Sequence, residues 1–227
     1  MSSRICFSQY RPNRNNRMIG REIGTGRGAL GPDPRVVTET GDPPMGKIRV
    51  QEFVSLDGVF ENPGWTAEYG FTDEMGESIG HLTESSSAIL LGRTTYEMFA
   101  PAWSGRTVED DPGAPFFNDS PKHVVSSTLT SADEWQNSTV LGAYAPQAIR
   151  KLKEETDGIY ISGSGTLVRA LLADGLIDEL HLLVYPVVLG SGAKLFPEGT
   201  QRIPLALAAQ EAFRNGVVHL TYGPAKS

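Results

Sequence analysis

A single cysteine in 227 residues, Cys6, leaves no partner within the chain for a disulfide and no ligand set for a zinc knuckle or an iron–sulfur cluster. Histidine is scarce as well. His81, His123, His181 and His219 stand far apart with no i, i+4 pair, so no metal site is expected. Basic charge is in short supply: 20 Lys and Arg face 27 Asp and Glu, a formal net charge of −7. That balance argues against a nucleic-acid or anionic-membrane partner and points to small molecules instead. No apolar run approaches the ~20 residues that a membrane-spanning helix needs. The longest, Leu182 to Leu189, is interrupted by Pro186. The first residues also lack the apolar stretch of a signal peptide, and a cytoplasmic location is expected.

What is present divides into an extension and a domain. Residues 1–44 carry seven arginines and no lysine against four acids, a local charge of +3 that leaves −10 for the remainder. Gly, Pro, Asn and Arg dominate there, with no strand or helix period, so this segment is expected to be disordered. The run "RPNRNNR" is read as solvated chain, with an anion-binding arm as the alternative. A chain beginning at Met45 would open directly into a strand, and 45–227 is taken as one domain.

From Met45 the apolar pattern switches between periods of 2 and 3.6. "KIRVQEFVSLDG" alternates as a strand and ends at the Asp57-Gly58 turn signal. The spacing of Met75, Ile79 and Leu82 predicts a helix over 72–85, with Thr72 or Asp73 as cap. "SAILLG" predicts a buried strand, and "TTYEMFAPAW" a short helix stopped by Pro101. Strands follow at "KHVVSS" and "STVLGA". Pro146 then opens a helix that Gly158 is expected to close. After these come the strand "GIYISG", a helix "TLVRALLADG" ended by Gly175, the strand "ELHLLVYPVVLG", and two runs around "RNG" that predict an antiparallel hairpin. Strands alternating with helices and closing in a hairpin imply a mixed sheet with helices on both faces.

Two strand-to-helix turns carry candidate chemistry. In "ISGSGTLV", Gly163-Ser164-Gly165 and a helix starting near Thr166 would aim backbone N–H groups and a positive helix end at an anion. The pattern is G-x-G-x-x-V, neither a dinucleotide fingerprint nor a phosphate loop of the Gly-Lys-Ser/Thr kind, and a plain turn needing positive φ remains the alternative. In "LLGRTTYE", Arg93 could pair with a phosphate and Thr94 could add a hydroxyl. Asp57, next to a glycine at a strand end, is the best-placed acid, although turn formation explains it equally well. Asp73, Glu74 and Glu77 read first as a solvated helix face. The aromatic residues Trp65, Tyr69, Phe71, Trp103, Phe116 and Phe117 fit either a substrate cleft or core packing.

These same segments carry a resemblance. "SLDG" (55–58), "LGRTTYE" (91–97), "HVVSS" (123–127) and "ISGSGTLVRALLADGLIDELHLLVYPVVLGSGAKLF" (161–196) resemble, in order, the stand-alone dihydrofolate-reductase-like proteins related to the C-terminal reductase domain of the bifunctional riboflavin deaminase–reductase. The resemblance implies a three-layer α/β/α fold with a mixed, mostly parallel sheet and a C-terminal antiparallel hairpin. It implies NADPH as cofactor, and hydride delivery to a pyrimidine- or pterin-like substrate, as in 5-amino-6-(5-phosphoribosylamino)uracil reductase. Dihydrofolate reductase-type activity and a non-catalytic nucleotide-binding module of the same fold are the alternatives. Carried over by motif, Gly92, Arg93 and Thr94 would contact cofactor phosphates, and Ser126 and Ser127 would lie beside the adenosine. Gly163, Ser164, Gly165, Thr166 and Leu167 would form the pyrophosphate-side loop, and Asp57 would stand near the nicotinamide as the candidate catalytic acid. Ser162 departs from the riboflavin enzymes, which usually carry Glu before the first glycine. The deaminase half, with its zinc ligands, has no counterpart here. A homodimer is implied by the resemblance alone.

Overall fold

The computed structural model describes residues 46–225, so the extension expected to be disordered lies outside the described residues. Among the described residues, eight strands form one sheet: β1 (Lys47–Ser55), β2 (Ala88–Gly92), β3 (Lys122–Val125), β4 (Ser138–Gly142), β5 (Gly158–Ser162), β6 (Glu179–Tyr185), β7 (Leu205–Ala212) and β8 (Val218–Pro224). Their order is β4-β3-β2-β5-β1-β6-β8-β7. The first six run parallel, while β8 is antiparallel to β6 and to β7. Between them lie α1 (Asp73–Glu84), α2 (Arg93–Trp103), α3 (Ala114–Asp119), α4 (Pro146–Glu155) and α5 (Gly165–Ala173), with a 3-10 helix at Pro63–Tyr69.

Alternation along β1 and β2 sorts the core into two layers. Ile48, Val50, Val54 and Leu90 pack with Ile149 and Leu152 of α4 and with Leu167, Val168 and Leu171 of α5. The opposite parity, Ile89 and Leu91, packs with Tyr96, Phe99 and Trp103 of α2 and Phe117 of α3, while Phe53 meets Met75 and Ile79 of α1. "AILL" is continuous because a strand covered on both faces has no polar side to show.

Local chemistry sets the helix ends. Thr72 Oγ1 accepts from the Met75 N–H at 3.3 Å, capping α1, whose buried face is Met75, Ile79 and Leu82. At the end of α5, Gly175 sits at φ +63, its N–H donates to Leu172 O at 3.1 Å, and Leu176 N–H donates to Leu171 O at 2.9 Å. This is a Schellman motif, which needs a left-handed residue at that position.

Two expected boundaries are corrected. Pro101 lies inside α2, which continues to Trp103. One lost donor near a helix end costs little beside a fully buried indole stacked on Phe117 with ring centroids 4.1 Å apart. Gly158 does not close α4. It opens β5, where a Cβ would stand 2.5 Å from Ser85 O, while the α4 end is tied by Thr156 Oγ1–H donating to Leu152 O at 2.8 Å. The C-terminal hairpin forms as expected around Gly216 at φ +85, with Phe213 N–H donating to Val217 O at 2.9 Å.

Candidate functional site

The two glycine-bearing turns meet at the carboxyl ends of two neighbouring parallel strands inside the sheet. β2 passes into α2 at Gly92 and Arg93, and β5 passes into α5 through Gly163 and Ser164. The turns are bonded to each other: Gly92 N–H donates to Ser164 Oγ at 2.9 Å, and Ser164 N–H donates to Thr95 Oγ1 at 2.8 Å. Gly163 is glycine because its φ is +68 and a Cβ there would crowd Thr95 at 3.2 Å. A Cβ on Gly165 would overlap the Phe60 ring. Neither α2 nor α5 has a side-chain cap, so their first-turn amides and positive helix ends remain directed at the space in front.

That space is a cleft of about 760 Å³. It gathers Gly92, Arg93 and Thr94 from the first turn and Gly163, Ser164, Gly165, Thr166 and Leu167 from the second, with Phe53, Phe60, Met98 and Phe99 among its apolar walls. Arg93 is held in place, with Nε donating to Glu97 Oε1 at 2.7 Å and Nη1 to Thr128 Oγ1 at 2.8 Å. Ser126 and Ser127 are not among the lining residues. Ser126 Oγ is spent on its own turn, accepting from Thr128 N–H at 3.2 Å and Leu129 N–H at 2.9 Å, and touches the site only through Thr128.

Asp57 also stands apart from the cleft lining. Its carboxylate accepts from Ser55 Oγ–H at 2.6 Å, Leu189 N–H at 3.1 Å and Gly190 N–H at 2.9 Å, pinning the loop after β6 to the end of β1. Those donors, Ser55 first, hold it down to about 2. The aromatic residues divide: Trp65 and Tyr69 pack edge-on against Tyr185, whereas Phe71, Trp103, Phe116 and Phe117 border a second hollow of about 580 Å³ beside α1. Asp73 and Glu74 face Arg214 at 3.7 and 3.6 Å.

One acid in the cleft escaped the sequence reading. Glu52, on β1, is 3 % exposed and lines the cleft; its Oε2 accepts from Gly163 N–H at 3.2 Å. Burial pushes its carboxyl well above the usual range, against the opposing pull of Gly163 N–H. The signal was its parity: Glu52 falls on the same stripe as Ile48, Val50 and Val54.

The family model for the RibD C-terminal domain matches residues 46–219. The chain belongs to that family. A relative is the uncharacterized protein YwjB of Bacillus subtilis (strain 168), 30% identical over 169 residues, spanning 72% of this chain and 90% of YwjB. In three dimensions the chain is similar to a Shewanella sp. PV-4 protein provisionally assigned to riboflavin biosynthesis, with TM-score 0.66, 21% identity, and 79% and 99% of the two chains covered. It is similar also to dihydrofolate reductase from Enterococcus faecalis complexed with NADP(H), with TM-score 0.51, 15% identity, and 80% and 98% covered. This RibD C-terminal-like chain therefore has the dihydrofolate-reductase-like fold.

Proposed function

We propose that the protein is an NADPH-dependent reductase that delivers hydride to a pyrimidine- or pterin-like ring, as 5-amino-6-(5-phosphoribosylamino)uracil reductase does. The observation that carries this reading is the pair of uncapped helix N-termini bonded into one cradle at the cleft. Amides and a positive helix end at a glycine-lined approach suit a pyrophosphate. The missing Cβ atoms at Gly163 and Gly165 keep backbone and ring close without a side chain in the way. Arg93 supplies a cation beside α2, shared with Glu97 until a phosphate competes for it. The apolar walls exclude water from the reacting half. Bound cofactor would supply the hydride; the protein binds, orients and dries the site.

Titration with NADPH, followed by cofactor fluorescence, tests this directly. Saturable binding weakened about tenfold or more by Arg93→Ala is expected. Absence of saturable binding, or binding indifferent to Arg93→Ala, overturns it. The same reading carries a homodimer, which a monomer mass in gel filtration would refute. A second reading, a nucleotide-binding module without turnover, draws on Arg93 already being paired and Asp57 being outside the cleft. NADPH binding without oxidation across folates, pteridines, aminouracils and quinones selects it.

A further inference from the structure

We propose that Glu52 is the specificity-determining acid of the cleft, presenting an O–H from Oε1 to a carbonyl oxygen or ring nitrogen of a bound nitrogen heterocycle. This goes beyond the motif residues, because Glu52 belongs to neither glycine turn and lies on the central strand between β5 and β6.

The two oxygens of Glu52 are in different situations. Oε2 accepts the Gly163 N–H, which leaves a proton to reside on Oε1. Oε1 is buried and has no hydrogen-bond partner among the described residues. A buried polar atom with nothing to bond is costly, and such atoms persist where a ligand completes them. Several neighbouring polar groups are already occupied. Glu61 Oε2 accepts from Ala193 N–H at 2.9 Å, Thr66 Oγ1–H donates to Pro63 O at 2.6 Å, and Tyr144 O–H donates to Asp174 at 2.6 Å. Thr95 and Ser164 bond the two turns together.

The ionic surroundings favour the neutral acid. Glu61 before the 3-10 helix, Arg93 at α2 and Tyr144 after β4 line the same cleft, and the Tyr160 hydroxyl on β5 feels the Glu52 charge. The cation of that lining, Arg93, is paired with Glu97. It is not bonded to Glu52. Burial raises the carboxyl against the pull of Gly163 N–H, and no bonded cation opposes burial, which favours the protonated acid. A buried carboxylic acid kept neutral is a hydrogen-bond donor, and it selects ligands offering an acceptor while disfavouring those that place an N–H there.

The recognised chemistry, a ring-borne carbonyl or ring nitrogen, occurs both in a nicotinamide cofactor and in a pteridine or pyrimidine substrate. The assignment rests on the reductase reading only for the choice between those sources. The experiment uses the full chain and two probes, NADP+ and lumazine, each titrated into wild type, Glu52→Gln and Glu52→Leu. In parallel, the Glu52 carboxyl is observed by ¹³C NMR at pH 7, its resonance assigned by loss in Glu52→Gln.

A neutral Glu52 is expected, with Glu52→Gln, which keeps an N–H donor, binding within about threefold of wild type and Glu52→Leu losing about tenfold for one probe. Whichever probe is affected identifies the source of the acceptor, and its affinity falls as pH rises through the Glu52 pKa. An ionised Glu52 at pH 7, or Glu52→Leu binding both probes like wild type, overturns the proposal. Failure of wild type to bind NADP+ counts against the reductase reading instead, and the NMR spectrum still decides the protonation state of Glu52. Circular dichroism of both variants separates lost binding from lost fold.

Discussion

Lys122 at the start of β3 and Glu52 within β1 are both ionisable side chains buried in one sheet, and they are treated in opposite ways. Lys122 is fully buried, yet its Nζ donates to Phe117 O at 2.8 Å, Asn118 O at 3.0 Å and Ser120 O at 2.8 Å, and it lies 4.6 Å over the Trp135 ring. All three ammonium donors are used. Burial lowers its pKa to about 8, with Asp119 opposing. Glu52 has one oxygen bonded to Gly163 N–H and one with no partner among the described residues. A buried charge is therefore not in itself a mark of function. What separates the two is whether the hydrogen-bonding capacity has been spent inside the protein.

The largest effect is expected where that capacity is fully spent. Lys122→Met removes the donor of three carbonyls that close the loop between α3 and β3, and the groups left behind are shielded from water. A loss of about 3 kcal/mol or more follows, read as a fall in the denaturant midpoint. NADPH affinity should stay as in wild type, because Lys122 does not line the cleft. A loss below about 1 kcal/mol would show that the three bonds do not hold the loop.

A third buried group falls between these extremes. His219 links Ser78 Oγ at 3.0 Å to His181 Nδ1 at 3.0 Å, and His181 Nε2 reaches Glu179 Oε2 at 3.3 Å. Burial first, then His181, lowers His219 to about 4. Between about pH 4 and 6.5 the unfolded chain binds the proton that the folded chain refuses. Stability from this site is thus fully present above about 6.5 and is lost as pH falls through about 4. The size is of the order of 2–3 kcal/mol, and His219→Gln should flatten this part of the stability–pH curve. An unchanged slope in the variant would show that His219 is not the group responsible.

How far these roles were legible in the sequence depends on what each signal encodes. Periodicity reports burial, so the strands, the face Met75-Ile79-Leu82 and the hairpin were readable. Pro101 and Gly158 were misread because propensity is local, whereas the stacking of Trp103 on Phe117 and the close approach of Ser85 to Gly158 are tertiary. The two turns were visible as motifs, but their mutual bonds through Ser164 and Thr95 join residues about 70 positions apart. Glu52 interrupts a strand rather than decorating a loop, so no loop motif marks it. An acid on an apolar stripe has few structural explanations, whereas Asp57 beside its glycine is explained by the turn it forms.

Glu52→Leu gives the comparison its opposite sign. Replacing a half-bonded buried acid by an apolar side chain of similar size relieves the unpartnered Oε1 at the expense of one bond to Gly163. Stability should be unchanged or raised by about 1 kcal/mol, in contrast to Lys122→Met. Functional sites carry such costs because a ligand, not the fold, completes them. A drop of 2 kcal/mol or more, on the scale of a lost buried network, would place Glu52 with Lys122 as a structural group.

The smallest effect is expected at Asp57, an acid at the surface whose capacity is spent like that of Lys122. Ser55, Leu189 and Gly190 all donate to it, and these bonds hold the carboxyl down to about 2. A depressed pKa contributes stability above the unfolded value near 4, and that contribution is lost as pH falls through about 2. Asp57→Asn should therefore melt slightly below wild type at neutral pH, and the gap should narrow as the medium is acidified. The neutral amide keeps one acceptor for the loop at Leu189 and Gly190, so the fold survives the exchange. NADPH affinity should be unaffected, since Asp57 stands outside the cleft lining. A roughly hundredfold loss of turnover with an unchanged melting temperature would instead make Asp57 the acid that acts on the reacting ring.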